Sequence, residues 1–93
     1  MHRILFIISF RWRFVMEKKV LDLLEEVCED DIVKEDRDVN LFEEDLLDSL
    51  TFTQLLVLLE EELGVIISPS EVEKEMISTP NKVIQIVLSK QNQ

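Results

Sequence analysis

Ser49-Leu50-Thr51-Phe52-Thr53-Gln54-Leu55-Leu56-Val57-Leu58-Leu59-Glu60-Glu61-Glu62-Leu63 reads as a helix from the spacing of its apolar residues. Phe52, Leu55, Leu56, Leu59 and Leu63 recur at i, i+3, i+4, i+7 and i+11, which places them along one face of a 3.6-residue turn. Gly64 follows, at the position where a helix commonly closes through a left-handed residue. Subtracting the inward stripe leaves Leu50, Gln54, Val57, Leu58 and Glu61 on an adjacent or opposite face that begins beside Ser49. Two readings of that face stand. Val57 and Leu58 pack under a neighbouring loop, or the face meets partners through an apolar strip rimmed by acids, charge steering the encounter and buried contacts holding it.

Working outward from this segment, Val20, Leu23 or Leu24, and Val27 recur at helical spacing between Glu17 and Cys28, so that stretch is expected to form helix one. Between it and Ser49 lie acids at Glu29-Asp30-Asp31, Asp36, Asp38 and Glu43-Glu44-Asp45, interleaved with Ile32, Val33, Val39, Leu41, Phe42, Leu46 and Leu47. A structureless run of about twenty residues is unusual in a compact domain. Its apolar residues predict a loop pinned to the core. On the far side, Ser68-Pro69-Ser70-Glu71 combines an N-cap, a proline at N1 and a capping-box glutamate, which predicts a short helix near Val72 to Ile77. Thr79-Pro80 repeats the device before a last helix carrying Val83, Ile84, Ile86, Val87 and Leu88, and Lys90-Gln91-Asn92-Gln93 reads as a frayed tail. The expected fold is all-α, a small bundle of three main helices plus one short helix, with a long loop between helices one and two.

Composition agrees. Ninety-three residues make one domain, and one glycine, two prolines and no tyrosine disfavour a sheet built on tight hairpins. The single cysteine, Cys28, has no partner for an internal disulfide and sits on an apolar helical stripe, so it is read as a structural thiol whose pKa burial raises. A reducing cytoplasm fits that usage.

Charge divides the chain. Residues 1–15 carry Arg3, Arg11 and Arg13 with no acid, whereas residues 16–93 set seven basic residues against twenty acidic ones, a balance of −13. A field of that sign repels phosphate backbones and attracts basic protein patches, so nucleic acid is excluded as a partner class and steered protein partners are expected. The opening stretch, Met1 to Val15, is too short to cross a bilayer, which takes roughly 20 apolar residues. No small-residue cleavage site follows its apolar part and two arginines interrupt its far side, so export is not expected. Residues 1–15 are read as an accessory extension and residues 16–93 as the domain proper. A membrane-surface helix is the alternative for the extension.

Conventional enzyme machinery is missing. The only histidine, His2, lies in the extension, one glycine cannot build a phosphate-binding loop, and Gly64 does not sit in the ligand pattern of a calcium loop. No catalytic residue and no metal ligand are expected. Attention falls instead on Leu46-Leu47-Asp48-Ser49-Leu50, where the long loop meets the second main helix. One reading is capping: Asp48 or Ser49 accepts a hydrogen bond from an orphan amide, and spacing alone favours this. The other is attachment: a hydroxyl at a helix N-terminus can carry a phosphodiester whose charge the free amides and the helix dipole favour. Neighbouring acids oppose that charge, but solvated charges interact weakly beyond about 8 Å at physiological salt. Under this reading Asp48 is a contact for the modifying enzyme or its metal and not a base acting on Ser49.

The Asp48-Ser49-Leu50 triplet, the amphipathic helix after it and the acidic loop before it resemble acyl and peptidyl carrier proteins. A narrower resemblance, from about Met16 to the C-terminus, is to the D-alanyl carrier proteins of Gram-positive bacteria. It is carried by Glu26-Val27-Cys28-Glu29-Asp30-Asp31-Ile32-Val33-Lys34-Glu35, by Leu41-Phe42-Glu43-Glu44-Asp45-Leu46-Leu47-Asp48-Ser49 and by Ser78-Thr79-Pro80-Asn81. The resemblance implies an acyl-carrier-like bundle with Ser49 as the attachment point of covalent 4′-phosphopantetheine, donated from coenzyme A by a phosphopantetheinyl transferase that contacts Asp48. It implies a D-alanine-activating ligase that charges the pantetheine thiol as a thioester and a membrane acyltransferase system that passes D-alanine to teichoic acid. The carrier itself is expected to be a cytoplasmic monomer without catalysis of its own, and the outer face of the second main helix, through Leu50, Gln54, Val57 and Glu61, is expected to meet its partners. Leu50-Thr51 departs from the usual bulky residue and glycine after the serine and is equally at home in fatty-acid carriers. The alternative is therefore an acyl or peptidyl carrier for fatty-acid, polyketide or peptide synthesis. The basic extension has no counterpart in the family pattern.

Overall fold

The computed structural model describes the backbone of residues 2–91 and the side chains of residues 12–90. The described residues form helices α1 (His2–Cys28), α2 (Ile32–Glu35), α3 (Ser49–Leu63) and α4 (Pro80–Gln91), with two 3-10 turns, Pro69–Glu71 and Lys74–Ile77, between α3 and α4. The three main helices expected from the sequence are α1, α3 and α4, and no strand occurs among the described residues.

On α1 the buried positions are Met16, Val20, Leu21, Leu23 and Leu24, a stripe broad enough to meet both α3 and α4. The helix begins much earlier than the expected Glu17. Nothing near Met16 stops or caps a helix, so the backbone ladder simply continues from the extension. Its other end is sharp. Glu29 takes a positive φ of 56° and its amide donates to the Glu25 carbonyl at 2.8 Å, a left-handed closure made without glycine.

The long connection is pinned as anticipated. Asp30 accepts from the Ile32 amide at 2.9 Å and starts the single turn α2, which inserts Val33 fully into the core. Asn40 accepts from the amides of Phe42 and Glu43, while Leu41 and Leu47 are buried and the Leu41 carbonyl receives the amides of both Leu46 and Leu47. The Leu41 amide donates to Ser78 at 2.7 Å, the Asn81 amide donates to Arg37, and the Asn81 side chain donates to Asp38 at 3.0 Å, which ties the loop to the start of α4. Lys74 lies 5.1 Å from the centroid of the Phe42 ring.

Leu55, Leu56 and Leu59 of α3 are buried, and Phe52 and Leu63 pack partly against them. Gly64 closes the helix at φ 67°. A Cβ there would meet no atom within 4 Å, so glycine answers a conformational requirement and not a shortage of space. The expected short helix differs from what forms. The Ser68–Glu71 capping box is present, but it starts a 3-10 turn that ends at extended Val72, and a second 3-10 turn runs from Lys74 to Ile77. Each turn is too short for the α-helical ladder and buries at most Ile77. On α4, buried Pro80, Val83, Ile84 and Val87 complete the core. Thr79 accepts from the Lys82 amide at 3.2 Å as that helix starts. Lys90 is ion-paired to Glu71, so the last turn of α4 is tied down where fraying was expected; Asn92 and Gln93 lie outside the described residues, as does the side chain of His2.

Candidate functional site

The long loop delivers the chain to α3 through Asp48, which is extended, with φ −130° and ψ −172°. Its Oδ1 accepts from the Thr51 amide at 2.9 Å and from the Thr51 hydroxyl at 3.0 Å, and the Thr51 hydroxyl oxygen in turn accepts from the Asp48 amide at 2.8 Å. This is a reciprocal capping box in which threonine replaces the usual glutamate. The Thr51 amide, followed by the Thr51 hydroxyl, holds the Asp48 carboxyl below the usual carboxylate range. Between the two capping readings of the junction, Asp48 is the cap and Ser49 is not.

Ser49 is therefore the first helical residue, exposed, with its side chain free of hydrogen bonds among the described residues. Its carbonyl accepts from the Thr53 hydroxyl at 2.9 Å, a bond that fixes the backbone and leaves the Ser49 hydroxyl unconstrained. The amides of Ser49 and Leu50 precede the start of the helical ladder, which opens with the Phe52 amide donating to Asp48. The first turn of α3 thus presents a free hydroxyl at its positive end, beside amides of Leu50 and Thr51 that the Asp48 carboxylate takes up.

Beside it opens a groove of about 640 Å³ between the end of α1 and the outer face of α3. Leu50, Thr51, Thr53, Gln54, Val57 and Leu58 form one wall and Glu26, Val27 and Glu29 the other. Leu50 is 68% exposed and Val57 47%, whereas Leu58 is half-buried against the core. The structure thus brings Leu50, Gln54 and Val57 together and separates Val57 from Leu58: only Leu58 packs as the core reading required. Glu61 is exposed on α3 but does not line the groove. The wall from α1 was missed in the sequence, as were the roles of Thr51 and Thr53. Asp48-x-x-Thr51 has the spacing of a capping box and carries that signal, whereas the approach of Glu26 and Glu29 to α3 is purely tertiary.

Cys28 is half-buried, and burial, then the neighbouring Asp30 carboxylate, pushes its thiol up to about 11. Among the described residues no three histidine, cysteine or acidic side chains cluster as metal ligands do.

A family model described as the phosphopantetheine attachment site matches residues 18–87. Similar proteins include the D-alanyl carrier protein of Abiotrophia defectiva, 53% identical over 72 residues, which cover 77% of this chain and 91% of that one. The D-alanyl carrier proteins of Bacillus cereus strain B4264 and Bacillus anthracis strain CDC 684 / NRRL 3495 are each 51% identical over 69 residues, 74% of this chain and 87% of theirs. The chain belongs to the D-alanyl carrier protein family. As a member of that family it is a carrier with covalently attached 4′-phosphopantetheine, modified and loaded by other enzymes and without catalysis of its own. The residues matched to the family run from α1 into α4 and so take in the whole bundle, while the first turns of α1 precede them.

Proposed function

We propose that the chain carries D-alanine as a thioester for the D-alanylation of teichoic acid, with Ser49 as the attachment point of its pantetheine. The observation that carries this reading is the free, exposed Ser49 hydroxyl at the start of α3, in a chain whose relatives are named D-alanyl carrier proteins. The residues present suit the group. A phosphodiester on Ser49 would sit at the positive end of α3, where negative charge is favoured, and Asp48 turns its carboxylate into the cap.

The pantetheine supplies the thiol that accepts the cargo, and this chain's residues do the presenting. Asp48 and Thr51 lock the first turn, so Ser49 enters a transferase at a fixed angle. Leu50 and Val57, with Gln54 beside them, offer an apolar strip next to the attachment point, Glu26 and Glu29 add an acidic rim, and Glu61 lies outside the groove on the same helix, so that basic partner surfaces are steered to this face. The partners under this reading are a phosphopantetheinyl transferase that contacts Asp48, a D-alanine-activating ligase and a membrane acyltransferase system, met by a cytoplasmic monomer. The carrier unit is residues 16–93; burial of Met16 and a family match that begins at residue 18 support that boundary.

The test is stepwise loading followed by mass spectrometry of the intact protein. With a phosphopantetheinyl transferase and coenzyme A, the wild type gains one pantetheine phosphate and Ser49→Ala gains none. The holo form is then charged by a D-alanine-activating ligase in preference to a fatty-acid-activating enzyme. Equal loading of Ser49→Ala would remove the attachment assignment, and preference for the fatty-acyl enzyme would keep the carrier and reject its cargo.

A further inference from the structure

Four consecutive residues of α1, Trp12, Arg13, Phe14 and Val15, are exposed, Trp12 at 50% and Phe14 at 67%. Four residues cover a full helical turn, so at this level the bundle buries no side of the helix, although the chain there is largely apolar and Arg13 edges a pocket shared with Asp38 and Asn81. N-terminal to that turn the helix continues to His2 through Ile4-Leu5-Phe6-Ile7-Ile8-Ser9-Phe10, a run with one polar residue. The only charges in residues 1–15 are Arg3, Arg11 and Arg13, in a chain otherwise at −13.

We propose that this N-terminal part of α1 seats the protein on an anionic lipid surface. The apolar run enters the boundary between headgroups and acyl chains, and Arg11-Trp12-Arg13 sits at headgroup level, where indole rings and basic side chains are favoured. No helix among the described residues is long and apolar enough to cross a membrane, so the segment is placed in the plane of the surface. A second copy of the chain fits worse, because pairing these helices would gather six arginines without one acid from the same segment. The acidic body does not cancel the attraction. Along α1, Lys18 and Lys19 outnumber Glu17 and the next acid, Asp22, follows Arg13 by nine residues, about 14 Å along a helix and beyond the Debye length of about 8 Å; Asp38, which lines a pocket with Arg13, is matched there by Lys82 and accepts from the Asn81 side chain. The groove beside Ser49 involves the opposite end of the same helix, near Cys28, about 22 Å from Arg13, so seating the extension leaves that groove open.

Trp12 is the only tryptophan and the chain has no tyrosine, so intrinsic fluorescence of the full-length protein reads this segment directly. Vesicles of phosphatidylcholine containing phosphatidylglycerol should shift Trp12 emission to the blue and carry the protein down on sedimentation, whereas phosphatidylcholine alone should do so weakly. Arg11→Gln with Arg13→Gln should weaken binding to the anionic vesicles about thirtyfold, and rising salt should weaken the wild type. Circular dichroism checks that the variant is folded, and its loading with pantetheine is scored separately, so a failure of the proposed function and a failure of this proposal are distinguishable. Unshifted emission with anionic vesicles, equal binding to both vesicle types, or a lipid-free dimer with Trp12 already blue-shifted would each overturn it.

Discussion

Two helical segments in this protein start from capping boxes, and they treat their serines in opposite ways. At Asp48 the carboxylate and the Thr51 hydroxyl satisfy each other's needs, so the adjacent Ser49 has nothing left to do for the fold. At Ser68 the Ser68 and Ser70 hydroxyls bond each other at 2.9 Å, and Glu71 accepts from the Ser68 amide while ion-paired to Lys90. The first arrangement frees a hydroxyl at the head of a fifteen-residue helix; the second consumes its hydroxyls to hold a three-residue turn against α4. A serine near a helix start is available for chemistry when another side chain has taken over the cap.

The sharpest way to break this contrast is Asp48→Ala. Losing the carboxylate unpairs the Thr51 amide and hydroxyl and lets the first turn fray, so loading at Ser49 should fall at least tenfold, with a lower melting temperature. Asp48→Asn should keep much of the cap and of the melting temperature; loading by Asp48→Asn then separates the cap from any direct contact of the carboxylate with the transferase. Unchanged loading and melting of Asp48→Ala would end the argument that the cap frees Ser49.

A smaller effect is expected when the outer face of α3 is trimmed while its cap is left intact. Leu50→Ala with Val57→Ala should slow charging by the ligase about tenfold, the range in which single interface truncations register. Both side chains are exposed, so the melting curve should stay within about 0.5 kcal/mol of the wild type. Early melting would return Val57 to the core, and wild-type kinetics in a folded variant would remove this face from partner recognition.

The smallest effect belongs to the second box. Glu71→Gln should lower the melting temperature slightly and leave loading at Ser49 unchanged, since nothing in that turn reaches the groove. Acid titration sharpens the comparison further. The Asp48 carboxyl is held low mainly by Thr51 and the Glu71 carboxyl mainly by Lys90. A depressed folded pKa gives stability that is present above the unfolded carboxylate range and is lost as pH falls through the lower folded value. Melting temperature measured from neutral pH downward should therefore fall less steeply in Asp48→Ala and Glu71→Gln than in the wild type, because each variant lacks one of those titrations.

Much of this was legible in the sequence because α3 states its own face and its own end: a five-residue apolar stripe and a glycine finish. The capping box at Ser68 was legible too, but not the kind of turn that it starts, since a box specifies where a helix begins and says nothing of how many residues follow. Extended Val72 interrupts that segment and carries no mark in the sequence. One turn, such as α2, is too short for periodicity to register, and only the apolar residues of its loop betrayed that it was pinned. The start of α1 was misplaced for the converse reason: residues 2–15 are apolar without a stripe, so periodicity begins at the bundle although the helix does not. The proposed attachment serine emerged from its neighbours by resemblance, whereas the groove beside it required Glu26, Val27 and Glu29 to arrive from a helix twenty residues upstream.

The elevated pKa of Cys28 has a chemical consequence for a molecule that keeps its cargo on a thiol. Val27 and Glu29, on either side of Cys28, line the groove that opens next to Ser49. An ordinary cysteine there, with a pKa of about 8.5, would be a few per cent thiolate at neutral pH and could attack a neighbouring thioester or capture the cofactor in a mixed disulfide. At about 11, roughly one Cys28 in ten thousand is ionised at pH 7. Burial thus keeps Cys28 protonated at neutral pH and disfavours exchange onto the wrong sulfur, which leaves the single native thiol of the carrier a spectator to the chemistry conducted beside it.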